Sequence, residues 1–135
     1  MTQLPTVPAP AAPAIPPKPG YVQAIAIMCL VDGILNIFGG LILTAIYICG
    51  VVTICCAPIA IYSIVLGILE VVYATQVLPD PIRAVRPANY LAVMQIVNII
   101  TCNMISVTVG ILSLVFYNDP KVKEYFRTLY CQRPT

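Results

Sequence analysis

The chain has 135 residues, of which 60% are hydrophobic and 9% charged, and its mean hydropathy is +0.95. Those values belong to integral membrane proteins and leave room for one domain. A net charge of +2 is too small to imply a nucleic-acid partner, and a chain with no histidine lacks the commonest general base and metal ligand.

Residues 1–20 carry seven prolines and no basic segment leading into an apolar core of the kind a secretory signal needs. Pro10, Pro13, Pro16 and Pro19 recur every third residue. That is the period of a polyproline II helix, so these four rings share one edge. The tail reads either as a docking strip for an aromatic groove on a partner or as a stiff spacer reaching up to roughly 50 Å.

From Tyr21 to Leu78 the chain is almost unbroken Ile, Val, Leu, Ala and Cys, with only two charges, Asp32 and Glu70. A water-soluble domain would expose one polar face on each element. This stretch instead suits two bilayer crossings of roughly 20 residues each. A first helix is expected just after Gly20, ending near Leu43 or Tyr47. A second runs from about Pro58, tolerated in a first turn, to Leu78, where Pro79-Asp80-Pro81 stops it. A polar linker with Arg83 and Arg86 follows.

The next apolar block, Ala88 to Tyr117, makes either one helix of about 45 Å or two arms of about 22 Å. The basic residues arbitrate. Lys18, Arg83, Arg86, Lys121, Lys123, Arg127 and Arg133 are all the chain has. They lie on one side only if this block is also a hairpin, which satisfies the positive-inside tendency. The reading is therefore an all-α membrane protein: a four-helix, two-hairpin transmembrane bundle over residues 21–118 (hairpins 21–78 and 88–118), with both termini cytoplasmic at the plasma membrane. The second hairpin is short or re-entrant and turns near Thr101-Cys102-Asn103.

An internal repeat fits two hairpins. AIMCLVD from Ala26 to Asp32 matches AVMQIVN from Ala92 to Asn98, and SIVLGILEVVY from Ser63 matches SVTVGILSLVF from Ser106. Such repeats commonly mark related units packed about a pseudo-symmetry axis. The second copy has Asn98 and Ser113 where the first has Asp32 and Glu70.

Residues 119–135 form the last segment. Asp119 suits an N-cap and Pro120 the first helical position. Val122, Tyr125, Phe126 and Leu129 fall on one face, which suggests a short amphipathic helix on the membrane surface or docked on a protein. Lys121, Lys123 and Arg127 are candidate contacts to anionic lipid head groups.

Asp32 and Glu70 lie at similar depth, about 16 and 12 Å from the same side. An ionised acid there costs at least ~2.5 kcal/mol, so each must be neutral, paired or in contact with water. No intramembrane cation exists in the chain. Asn36, Gln95, Asn98 and Asn103 are the candidate hydrogen-bond partners, and a partner's cation is the alternative. Small and polar residues form stripes suited to close helix packing: Asp32, Asn36, Gly39 and Gly40; then Ala60, Ser63, Gly67, Glu70 and Ala74; then Gln95, Asn98 and Cys102; then Ser106, Gly110 and Ser113. Four of the six cysteines, Cys29, Cys49, Cys55 and Cys56, lie in the first apolar stretch, where cysteine acts as a small hydrophobe.

The pattern IMCLVDGILN from Ile27 to Asn36, LGILE from Leu66 to Glu70 and FYNDP from Phe116 to Pro120 resembles a set of small, uncharacterised prokaryotic multi-span membrane proteins with Pro-rich amino-terminal tails. The resemblance implies a multi-span topology and carries no activity with it. With no catalytic set, phosphate loop or metal-ligand spacing, no enzyme and no cofactor is expected. The expected role is a structural or accessory subunit, or a self-associating scaffold, whose partners are membrane lipid and another protein or further copies. The alternatives are an oligomeric proton or ion channel or transporter using Asp32 and Glu70, and a membrane-shaping hairpin protein.

Overall fold

The computed structural model describes residues 16–48, 53–83, 86–101 and 103–132. Among these residues there is no strand, and five α-helices follow in order: α1 (Gly20–Ile48), α2 (Thr53–Val77), α3 (Asn89–Val97), α4 (Met104–Asn118) and α5 (Pro120–Gln132), with a 3-10 turn over Asn98–Thr101 extending α3. Two helices, α1 and the Ala57–Val77 part of α2, are long and apolar enough to cross a membrane. The expected Pro10 and Pro13 contacts and Cys102 lie outside the described residues.

α2 begins at Thr53, so Pro58 falls inside the helix and not in its first turn. The expected start at Pro58 was therefore late. Proline removes one backbone bond, to the carbonyl four residues back, without preventing the chain before it from being helical.

α1 and α2 run antiparallel and are the most extensively packed pair; α3 pairs with α4, α4 also lies on α1, and α3 on α2. Ile and Val dominate α1 and α2, and both are mediocre helix formers in water. Their helices rest on packing instead. That packing is closest at Gly33 and Gly67. A Cβ on Gly67 would fall 2.6 Å from the Gly33 carbonyl oxygen and 2.9 Å from the Ile37 nitrogen. Further along, Gly40 meets the backbone of Ala60 and Ile64. The α3–α4 pair closes the same way, with Gly110 against the Ala92 carbonyl at 2.8 Å from a notional Cβ. Gly110 aligns with Gly67 in the repeat, but Ala92 aligns with Ala26, not Gly33. The two pairs share a sequence pattern and differ in register. Gly39, expected on the packed face, has nothing within 4 Å of its Cβ position.

Polar as well as apolar side chains are buried, and much of the exposed surface is apolar. Asp32, Asn36, Ser63, Glu70, Gln95, Asn98, Ser106 and Ser113 are buried. Ile34, Phe38, Ile42, Ile61, Val72, Ile100, Ile105 and Val115 face outward with many neighbours like them. Exposed apolar surface is ordinary in small amounts, but continuous belts are not.

One end of the molecule gathers the remaining charges. There Lys18 donates from its amine to the carbonyl oxygens of Val77 at 2.5 Å and Leu78 at 3.0 Å, so a cation caps the C-terminus of α2. Partial burial pulls the Lys18 amine below its ordinary pKa, while Asp80 acts in the opposite direction. Tyr21 stacks on Phe116, with ring centroids 5.2 Å apart. Tyr117 donates to the Tyr73 hydroxyl at 2.9 Å, and Tyr73 accepts the Ala88 amide. α5 starts as the sequence requires, with Asp119 Oδ1 accepting from the Lys121 amide at 2.8 Å. Its stripe of Val122, Tyr125 and Phe126 is buried in the same cluster as Val22, Ile25 and Val77, and Leu129 packs against it. The amphipathic face is thus covered by the chain itself, leaving its polar flanks outward.

The close glycine contact predicts a clear contrast. Gly67→Ala should lower the thermal unfolding midpoint of the purified protein, because both neighbours are backbone atoms that cannot swing away. Gly39→Ala should leave it unchanged or raise it, by up to about 1 kcal/mol from helix propensity.

Candidate functional site: a buried polar cluster between the helix pairs

The cluster is built on Asn36, one turn beyond Asp32 on the buried side of α1. Its carboxamide touches every neighbouring element. The Asn36 oxygen accepts from Asn98 at 3.0 Å and from Asn103 at 2.8 Å. Ser63 Oγ on α2 donates more weakly, at 3.3 Å to the Asn36 backbone carbonyl and 3.4 Å to its side-chain oxygen. The Asn36 nitrogen donates to Glu70 Oε2 at 3.1 Å and lies 3.4 Å from Ser106 Oγ.

Asp32 takes the next layer. Its Oδ2 accepts from Ser106 Oγ at 2.9 Å and from Gln95 Nε2 at 3.4 Å. Asn103 does two jobs, since its oxygen also accepts the Ser106 amide and caps α4. Local sequence explains this. The Asn-Met-Ile-Ser start offers an N-cap side chain where the chain turns, and the same turn brings Asn98 and Asn103 to the level of Asn36.

Of the sequence candidates, Asp32, Asn36, Glu70, Gln95, Asn98 and Asn103 come together in one cluster. The tail and surface candidates do not join it. Pro16 and Pro19, with Lys18 and Lys121, line a hollow of about 420 Å³ against Glu124, Tyr125 and Thr128 of α5. The described end of the proline strip therefore lies beside its own chain. Ser63 and Ser106 are full members of the cluster. Their place on the small-residue stripes was the signal that could have marked them as ligands of the amide, had pairings been known.

Four buried polar atoms have no hydrogen-bond partner among the described residues: Asp32 Oδ1, Glu70 Oε1, Gln95 Oε1 and Ser113 Oγ. Three are acceptors, two of them carboxyl oxygens. The acids are 1% and 0% exposed, so solvent does not serve them. Cations are absent from the cluster's hydrogen bonds, and its donors are amides and hydroxyls. The arrangement can knit helices together and can take up a proton, a water or a small cation at its bare oxygens. No protein family, curated protein or solved structure matches the chain.

Because Asn36 serves so many groups at once, Asn36→Leu should be among the most damaging substitutions in the chain. It takes one hydrogen bond each from Asn98 and Asn103 and leaves the Ser63 hydroxyl and a Glu70 oxygen without this partner, at about 1–3 kcal/mol for each buried group left bare. Ser113→Ala removes a hydroxyl that has no partner and should be neutral or mildly stabilising. Chemical or thermal unfolding of the two variants side by side checks both.

Proposed function

We propose that the protein is a non-catalytic structural protein of the plasma membrane, a two-hairpin bundle whose second hairpin enters the bilayer and turns back halfway. The observation that carries this reading is the depth of that hairpin. The turn linking α3 to α4 bonds to Asn36, near the middle of α1. α1, with 29 residues, spans about 43 Å, whereas α4, with 15, spans about 22 Å. A hydrocarbon core is about 30 Å thick. Four helices then occupy one leaflet and two the other, which gives the molecule a wedge-shaped cross-section.

Other features support the same placement. The apolar belt faces outward and the polar groups inward, as lipid demands. Tyr21, Tyr90 and Tyr130 are exposed near the charged end, where an interfacial belt belongs. The basic residues at that end support a cytoplasmic side for both termini by the positive-inside tendency. The acids meet amides and hydroxyls of their own chain, so a protein partner or a further copy would be met through the apolar outer faces.

The wedge has a direct test in a background free of native cysteines. Ile100→Cys, at the inner turn, should resist a membrane-impermeant maleimide from both sides of sealed vesicles. Ile48→Cys, at the far end of α1, should label from outside only. Labelling of Ile100→Cys from outside would mean a full crossing and would remove the wedge.

A second reading draws on the bare oxygens of Asp32 and Glu70. A proton or cation relay through an oligomer would use those atoms. Proteoliposome flux should then fall at least tenfold in the Asp32→Asn, Glu70→Gln double variant, a loss of about 1.4 kcal/mol or more in barrier terms. Unchanged flux leaves the structural reading alone.

A further inference from the structure

α5 carries a second feature that the buried cluster does not explain. Lys123, Arg127 and Tyr130 are spaced four and three residues apart, so they stand on one flank of the helix. Together with Arg86 and Pro87 from the linker and Tyr117 and Phe126 beneath, they line a hollow of about 400 Å³. Three cations therefore share one concavity whose lining includes no carboxylate. None of the three forms an ion pair with a described residue. Like charges gathered this way repel one another, and no carboxylate among the described residues pairs with them.

The hollow is also partly ordered. The Arg86 guanidinium lies over the Tyr130 ring, 5.3 Å from its centre, and donates to the Tyr130 hydroxyl at 3.3 Å. Lys123 donates to Asn118 Oδ1 at 2.9 Å. These contacts use one of the five guanidinium hydrogens and one of the three ammonium hydrogens, so most donors remain available. The floor is aromatic, since Tyr117 and Phe126 are buried. Of the acids of α5 and its surroundings, Glu124 lines the separate hollow with Lys18 and Lys121, Asp80 acts electrostatically on Lys18 and Tyr125, and Asp119 caps the first turn of α5 by accepting the Lys121 amide.

We propose that this hollow binds the phosphate head group of an anionic phospholipid, with Arg86, Lys123 and Arg127 as its ligands and Tyr130 holding Arg86 in position. A phosphate supplies several acceptor oxygens and up to two negative charges, which matches clustered arginine donors. The lipid is favoured over a free anion by position. The hollow reaches α4 at Tyr117, in the last turn of a helix that also exposes Ile111, Leu112 and Val115, part of the apolar surface that would meet acyl chains. This inference rests on the membrane reading for the lipid but not for the phosphate. It also reassigns the lipid-facing residues: Arg86 joins Lys123 and Arg127, while Lys121 belongs to the other hollow.

The test uses the full chain purified in neutral detergent. Thermal shift and native mass spectrometry would follow titration with dioctanoyl phosphatidic acid, dioctanoyl phosphatidylcholine or inorganic phosphate. Phosphatidic acid should bind saturably and raise the unfolding midpoint, with phosphatidylcholine inert and inorganic phosphate far weaker. Arg86→Gln with Arg127→Gln should weaken phosphatidic acid at least about tenfold, and Lys121→Gln should not. Both arginines are exposed, so the fold should survive; Arg127→Gln alone is the fallback and should weaken binding in the same direction. Equal losses in Lys121→Gln, or no preference for phosphatidic acid over phosphatidylcholine, would overturn the site. Equal binding of inorganic phosphate and phosphatidic acid would overturn the lipid and leave an anion site. A chain that stays monodisperse without detergent would refute the membrane reading separately, with the phosphate arm still reading the hollow.

Discussion

A single carboxamide, that of Asn36, joins the two helix pairs. It contacts polar side chains on α2, on the turn after α3 and at the start of α4. Such a junction is stable only where no better solvent competes for the same hydrogen bonds, which is why it lies in the most deeply buried part of the chain. The glycine contacts follow from it. Helices must approach closely for short side chains such as Ser63 and Asn36 to meet, and Gly33, Gly67 and Gly110 supply that closeness. The depth of the second pair follows too, because Asn98 and Asn103 must reach Asn36 and need go no further.

The outer surface answers to the opposite constraint. With the polar groups turned inward, Ile, Val, Leu and Phe cover the outside, and charge is left only at the end where Lys18, the linker and α5 gather. In the proposed membrane placement that apolar coat would meet acyl chains, while the polar groups pair within the chain. The same coat leaves few polar landmarks among the described residues, chiefly the buried cluster and the basic hollow beside α5.

Much of this was legible in the residues. The extent of α1 followed from an apolar run with no breaker. The turn near residue 101 followed from charge placement, and the start of α5 from Asp119-Pro120. The membership of Asp32, Asn36, Glu70, Gln95, Asn98 and Asn103 in a shared cluster followed from the cost of leaving an acid unpaired. Other features depend on distances that one sequence does not contain. Helical spacing puts Gly39 and Gly40 side by side, and only the crossing point of α1 and α2 decides that Gly40 is the one in contact. The stripe on α5 is equally suited to lipid, to a partner or to its own chain, since all three offer an apolar surface. Pro58 reads as a helix start because proline favours that position, yet it is tolerated five residues in. The basic hollow was partly visible through Lys123 and Arg127. Arg86 could not be added, because the linker's return to α5 is a tertiary event.

The division of the cluster between the two pairs also orders the making of the molecule. Asp32, Asn36 and Glu70 emerge first, on α1 and α2, while most of their hydrogen-bond partners reside on the later segment from Gln95 to Ser106. Without that segment the long pair keeps the Asn36–Glu70 bond but leaves Asp32 without its Gln95 and Ser106 donors. The short hairpin is thus less a second unit than a keystone, since the contacts of Gln95, Asn98, Asn103 and Ser106 to Asp32 and Asn36 all come from it.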